Sequence, residues 1–375
     1  MLAATPTPLA LVAELTHRCP LHCVYCSNPL DLARRDGELS TEDWARVFRK
    51  AAAMGVLQTD LTGGEPLARI DLAEIILAAR AAGLYASLIT SGMPLDERRL
   101  EGLVAAGLDH LQLSFQGAKE NSSTEFGGAR PGTYEQKLRV ASWAKKHRVG
   151  FTLNFVIHRE NLDQLEAMIE LAEEIAPGRV EFAHVQYYGW ALSNRARLLP
   201  SRAQLDASLE ILKCAQERLR GRIRVEYVVP DYYAKYPKPC MGGWGRKVIL
   251  VTPSGDALPC HAARVIPGLT FENVRNQSLR AIWEESAAFR KYRGEEWMVE
   301  PCKSCDRHTV DFGGCRCQAY LLEGRAEAAD PVCYLSSGRS VVDSIVTAAN
   351  NPAADLNGTV GSASAQEWTY RANPT

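Results

Sequence analysis

Residues 14 to 26 read Glu14-Leu15-Thr16-His17-Arg18-Cys19-Pro20-Leu21-His22-Cys23-Val24-Tyr25-Cys26. Three cysteines stand there in a Cys-x3-Cys-x2-Cys spacing, directly after the apolar run Leu9 to Leu15, which predicts a buried strand. A loop leaving a strand tip can fold three thiolates toward one point, and three thiolates suit a soft iron site. A cubane cluster has four irons, so three cysteines leave one open. An open coordination position separates a reactive metal site from a closed structural one. Spacing alone leaves the metal open, because a zinc knuckle or a disulfide cluster uses the same donors.

Outward from this stretch, strand-like and helix-like patterns alternate, the signature of βα units around a parallel sheet. Strands are expected at Leu9 to Leu15, Gln58 to Leu61, Tyr85 to Ile89, His110 to Phe115, Phe151 to Val156 and Arg179 to His184. Helices are expected near Thr41 to Met54, Asp71 to Ala82, Asp96 to Ala106, Thr133 to His147 and Asn161 to Ile175, with Ser40 or Thr41 as the first N-cap. A long loop, Gln116 to Gly132, precedes the fourth helix. Six such units would make an open α/β barrel, and chemistry in such folds sits at the carboxyl ends of the strands.

The motifs fall at those ends. Thr62-Gly63-Gly64-Glu65-Pro66 follows the second strand. Its glycines let backbone approach a ligand closely, and Glu65 can accept from an ammonium group. Thr90-Ser91-Gly92 follows the third strand, and Ser114 with Gln116 ends the fourth. A serine at a strand end also serves local backbone, so each has an ordinary structural reading. The run Gln186-Tyr187-Tyr188-Gly189-Trp190-Ala191 after the sixth strand could stack on a base, line a peptide groove or pack between domains.

Forty-three basic and 44 acidic residues nearly cancel, so no bulk charge draws the chain to nucleic acid or a membrane surface. No apolar stretch reaches the roughly 18 residues of a spanning helix, and the start lacks the charged region of a secretory signal. These features predict a cytoplasmic protein. Eleven cysteines in a reducing compartment argue for metal or redox chemistry over disulfides.

Helix Ser201 to Leu219 and the strand-like Arg222 to Val229 lead to a Pro- and Tyr-rich passage from Pro230 to Pro239, a domain boundary by composition. Cys214 lies alone in that helix and reads as a small buried hydrophobe. Seven cysteines follow between Cys240 and Cys333: Cys240, fourteen residues to Gly255, four more to Cys260, then Cys302-x2-Cys305, five residues to Asp311, three to Cys315, then Cys317 and Cys333. Cys302-x2-Cys305 taken alone is equally a zinc-ribbon half-site. The tail from 336 to 375, rich in Ala, Ser, Gly and Asn, reads as a flexible extension.

Together these motifs resemble the radical S-adenosylmethionine (SAM) superfamily, whose hallmark is the Cys19, Cys23, Cys26 spacing with an aromatic, here Tyr25, before the last cysteine. The resemblance implies a partial (β/α)6 barrel over residues 8–229. Its [4Fe-4S] cluster would be held by Cys19, Cys23 and Cys26, and SAM would chelate the open iron, bound by Gly64 and Glu65 and touched by Tyr25, Ser91, Ser114 and Gln116. One electron from that cluster breaks SAM to a hydrogen-abstracting adenosyl radical. The C-terminal pattern resembles the SPASM domain of peptide-modifying radical SAM enzymes, here 230–335, written Cys-x9-15-Gly-x4-Cys, gap, Cys-x2-Cys-x5-Cys-x3-Cys, gap, Cys. Asp311 stands where that family normally places a cysteine, and Cys317 is extra. The implied auxiliary centres are Cys240, Cys260, Cys315 and Cys317 for one, and Cys302, Cys305, Asp311 and Cys333 for the other. One would be [4Fe-4S], the other [2Fe-2S] or [4Fe-4S]. Asp311 has a second reading, as a residue that merely caps or solvates its loop.

Within the SPASM group the Cys19 to Leu30 run, the Gln186 to Ala191 run and Asp311 resemble the PqqE family, the peptide cyclases of pyrroloquinoline quinone (PQQ) biosynthesis. That resemblance implies a carbon-carbon crosslink between a Glu and a Tyr side chain of the precursor peptide PqqA, delivered by the peptide chaperone PqqD. The adenosyl radical would take a hydrogen from the Glu γ-carbon, the carbon radical would add to the Tyr ring, and an auxiliary cluster would accept the released electron. A flavodoxin or ferredoxin would supply the reducing electron. Thioether- or formylglycine-forming maturases share the framework, and a zinc-binding peptide adaptor is the rival outside enzymes.

Overall fold

The structure, a computed structural model, describes residues 5–351 and 367–374. Seven parallel strands lie side by side in chain order: β1 (Ala10–Thr16), β2 (Gln58–Gly63), β3 (Tyr85–Thr90), β4 (His110–Phe115), β5 (Gly150–Ile157), β6 (Arg179–His184) and β7 (Arg224–Val228). Helices cross between them: α1 (Thr41–Ala53), α2 (Leu72–Ala81), α3 (Glu97–Ala105), α4 (Glu120–Gly127), α5 (Thr133–Lys146) and α6 (Leu165–Ile175). All of the expected strands and helices are present, with ends moved by a few residues. Local chemistry accounts for the starts. The Ser40 hydroxyl accepts from the Asp43 amide at 3.1 Å, and the Asp43 carboxylate accepts from the Ser40 amide at 3.2 Å, a reciprocal cap on α1.

The sheet is larger than six strands. The strand-like run near Arg222 becomes β7, which pairs with β6 from Arg179↔Arg224 onward. On the other side, β8 (Val248–Val251) runs parallel to β1 from Ala10↔Val248 to Ala13↔Val251, and β9 (Ala257–Leu258) turns back against it. A strand from beyond the compositional boundary at 230 thus covers the open edge of β1. Leu11, Ala13 and Leu15 of β1 consequently lie fully buried in the main core with Ile249 and Val251.

Two stretches differ from the sequence reading. The Gln116 to Gly132 loop contains α4, whose last carbonyls support the cysteine loop. The tail is also not a structureless extension where it is described: Arg339–Asn350 is a helix. Val342, Ile345, Val346 and Ala349, at helical spacing, dock into a second core with Leu198, Tyr232 and Tyr233. Alanine and serine around that stripe dilute its signal. Residues 352–366 of the tail lie outside the described residues.

Candidate active site and iron-sulfur centres

The strand tips converge on a cavity of about 350 Å³ lined by Cys19, Cys23, Tyr25, Cys26, Gly64 and Ser114, among others. The cysteine loop is tied down on several sides. The His22 and Val24 amides donate to the Gly127 and Phe126 carbonyls of α4 at 2.8 and 3.0 Å. Asn194 Nδ2 donates to the Val24 carbonyl at 2.7 Å. At the exit of β1, Arg69 Nη1 donates to the Leu15 and Leu39 carbonyls at 3.3 and 2.9 Å.

The Gly63-Gly64 loop closes onto the same stretch, the Gly64 amide donating to the Thr16 carbonyl at 2.6 Å and the Glu65 amide to that of Arg18 at 2.8 Å. A Cβ on Gly64 would stand 2.5 Å from the Arg18 oxygen, so only glycine allows this approach. Burial pushes all three thiols up, Cys23 to about 11, and neighbouring thiols push Cys19 and Cys23 further. Three thiolates here therefore need a bound cation, and three thiols facing a cavity fit a cluster with one open iron.

Glu65 does not line the cavity. It is fully buried, and its carboxylate accepts from Thr90 Oγ1 and Ser91 Oγ at 2.5 Å each, from the Ser91 amide at 2.8 Å and from the Leu67 amide at 3.0 Å. These four donors occupy the acceptor capacity of a carboxylate. The expected direct acceptance from an ammonium group is not what this geometry provides. Glu65 pins the tips of β2 and β3 together, and the faces open to a ligand are Gly63, Gly64, Thr90 and Ser91.

Ser114, Gln116 and Tyr25 line the same cavity. Tyr25 hydrogen-bonds to Gln116 and to Cys23, and burial raises its phenol well above the usual range. Beneath them is a residue the motif search missed: Lys137 of α5 is fully buried, and its Nζ donates to the Ser114 carbonyl at 2.7 Å and to Gln116 Oε1 at 2.5 Å. Burial lowers it to about 8, against the pull of the Cys23 and Glu65 charges. Its signal was available, since Lys137 shares the helical stripe of Val140, Ala141 and Ala144, where a charge is out of place. Arg371 was also missed. It reaches the cavity from the far end of the chain.

Cys240, Cys260, Cys315 and Cys317 come together in a buried core: the Cys260 and Cys317 sulfurs are 3.7 Å apart, and Cys240 contacts the sulfurs of Cys260 and Cys315. Tyr188 presents its hydroxyl to the Cys315 sulfur at 2.9 Å. Cys302, Cys305, Asp311 and Cys333 line one recess. There Asp311 Oδ1 accepts from the Gly313 amide at 3.1 Å and Oδ2 faces Arg307 Nε at 3.3 Å. The two sets of four donors fit closed iron-sulfur centres. Cys214 belongs to neither set, and it is exposed on its helix rather than buried.

Of the Gln186 to Ala191 run, Gln186 lines the cavity, while the aromatics pack inward and are not open to a base. Tyr187 lies on Tyr232 with ring centroids 5.1 Å apart, and Trp190 is buried. The Ala191 amide donates to the Cys26 carbonyl at 3.1 Å, and a Cβ on Gly189 would stand 2.1 Å from the Asn28 oxygen.

Residues 13–172 match the family model of the Radical SAM superfamily, and residues 240–306 match that of the SPASM iron-sulfur cluster-binding domain. The chain is 54% identical over 88% of its length to the PqqA peptide cyclase of Rhizobium meliloti, covering 88% of that protein. It is 50% identical to the PqqA peptide cyclase of Granulibacter bethesdensis over 93% of both chains. Among solved structures, Streptococcus suis SuiB bound to S-adenosylmethionine superposes with a TM-score of 0.72 at 20% identity, over 88% of this chain and 77% of that one. Among the described residues no helix is long and apolar enough to cross a membrane. The chain belongs to the PqqA peptide cyclase family, and is a radical SAM enzyme with a SPASM extension.

Proposed function

We propose that the cavity floor formed by Cys19, Cys23 and Cys26 is where this chain crosslinks a Glu side-chain carbon to a Tyr ring carbon of PqqA. The observation that carries the reading is the contrast in donor number: three thiols face the cavity, whereas each of the two other sets has four donors. When bound, the cluster and SAM supply hydrogen abstraction driven by one electron. The chain's own residues bind and orient. Gly63, Gly64, Thr90 and Ser91 would hold the methionine end of SAM, with Glu65 fixing them from below. Ser114, Gln116 and Tyr25 would hold the other side, with Lys137 setting the Gln116 amide.

The auxiliary ligands would be Cys240, Cys260, Cys315 and Cys317 for one cluster, and Cys302, Cys305, Asp311 and Cys333 for the other. We infer ligation by Asp311, because its carboxylate lines the recess of the three thiols. One cluster would be [4Fe-4S] and the other [2Fe-2S] or [4Fe-4S]. The barrel unit would span 8–229 and the SPASM unit 230–335, with β8 of the second completing the sheet of the first. Presentation of the peptide by PqqD, reduction by a flavodoxin or ferredoxin, and a cytoplasmic setting complete the proposal. Reduced, anaerobically reconstituted protein incubated with SAM, PqqA and PqqD should yield PqqA lighter by the two hydrogens lost on crosslinking. Release of 5′-deoxyadenosine with no such product would reject it in favour of another maturase chemistry.

A further inference from the structure

The C-terminal segment 367–374 returns across the barrel and lies on the cysteine loop. The Thr369 amide donates to Asn194 Oδ1 at 3.0 Å, while Asn194 Nδ2 donates to the Thr369 carbonyl at 2.7 Å. The Cys19 amide donates to Asn373 Oδ1 at 3.1 Å, and Asn373 Nδ2 donates to the Cys19 carbonyl at 2.8 Å. Between these two reciprocal pairs stands Arg371, only 2% exposed, on the wall of the cavity.

A buried guanidinium is costly unless it is paired. Arg371 contacts the His17 carbonyl, Asn373 Oδ1 and the Cys26 sulfur, none of them a carboxylate. Its Nε is buried with no partner. The groups it faces are the loop's own sulfurs: it lines the same cavity as Cys19, Cys23 and Cys26 and contacts the last of them directly. A cation held at fixed distance from sulfur ligands favours the more negative, reduced state of an iron-sulfur centre, because reduction adds an electron to it.

We propose that Arg371, delivered by the C-terminal segment, is a positioning residue of the N-terminal cluster: it neutralises the Cys26 thiolate and thereby raises the potential at which an external one-electron donor can reduce the cluster. The inference rests on the reading of Cys19, Cys23 and Cys26 as cluster ligands.

The test is a redox titration, followed by electron paramagnetic resonance, of the full-length protein and its Arg371→Gln and Arg371→Lys variants. The signal to follow is the one that changes shape on adding SAM, since only a cluster with an open iron responds to it. Arg371→Gln should titrate at a more negative potential, with Arg371→Lys close to wild type and the SAM-insensitive signals of all three proteins unchanged. If Arg371→Gln alone fails to retain the cluster while Arg371→Lys keeps it, the charge requirement stands. An Arg371→Gln midpoint equal to or above wild type would overturn the inference, as would loss of the cluster from both variants, which marks a packing role. A wild-type protein without any SAM-responsive signal would instead overturn the reading of the three cysteines, and this inference with it.

Discussion

The Tyr188 hydroxyl lies 2.9 Å from the Cys315 sulfur, and three residues later the Ala191 amide donates to the Cys26 carbonyl at 3.1 Å. One short segment therefore touches a proposed ligand of the auxiliary centre at one end and the loop of Cys19, Cys23 and Cys26 at the other. Such a link holds the two sets of cysteines in fixed relation.

Removing that hydroxyl should be felt at the auxiliary centre alone. A hydrogen bond to a charged sulfur is worth about 1.5–3 kcal/mol, and it favours the reduced state. Tyr188→Phe should shift the potential of that cluster negative and slow crosslinking. SAM cleavage without peptide should proceed as in wild type. Redox titration and 5′-deoxyadenosine release measure the two effects separately.

Glu65 accepts four hydrogen bonds in a fully buried site. Glu65→Gln replaces one acceptor oxygen with a donor that faces Thr90 and Leu67 or Ser91, leaving two polar groups mismatched. The loss is about 2–6 kcal/mol, since buried unsatisfied groups cost about 1–3 kcal/mol each. SAM affinity, measured by equilibrium dialysis, should fall by about tenfold or more as the Gly64 loop loosens. Iron bound by the SPASM region should be unchanged.

Asp311 shares its recess with Cys302, Cys305 and Cys333. Asp311→Ala should lower iron and sulfide by the content of one auxiliary cluster, and Asp311→Cys should restore the metal at a shifted potential, because thiolate is a softer ligand than carboxylate. Unchanged iron in Asp311→Ala would mean that the carboxylate only accepts from Gly313 and pairs with Arg307.

Acid should weaken the barrel before it affects the surface carboxylates. His158 is fully buried between Tyr25 and Phe126 with neither ring nitrogen bonded, and burial, aided by the His184 charge, lowers it to about 3. Burial and then Lys238 lower His184 to about 3 as well. Both folded values lie below the ordinary 6.5, so between pH 6.5 and 3 the unfolded chain binds protons that the folded chain does not, and stability falls as pH falls through that window. At pH 5.5 each histidine should account for about 1.4 kcal/mol of loss. His158→Leu should cut the loss of stability between pH 7.5 and 5.5, read by denaturant unfolding, by about 1.4 kcal/mol, while Asp330, held up to about 7 by burial, contributes in the opposite sense over the same range.

What the sequence alone determined is the chemistry that depends on near neighbours. Cys19, Cys23 and Cys26 are read from spacing because one loop brings them together, and the alternation of β1 to β6 with their helices follows from local periodicity. Tertiary structure decided whatever depends on distant segments meeting. The pairing of β8 with β1 is such a case, because a short apolar run carries no mark of its partner strand. Three of the four donors around Glu65 come from Thr90 and Ser91, a separate chain segment, so its motif suggests a ligand contact while its packing makes it a pin. Lys137 and Arg371 enter the site from a helix face and from the far C-terminal end. No spacing rule joins them to the cysteines, and only the burial of their charges beside the thiols reveals the connection.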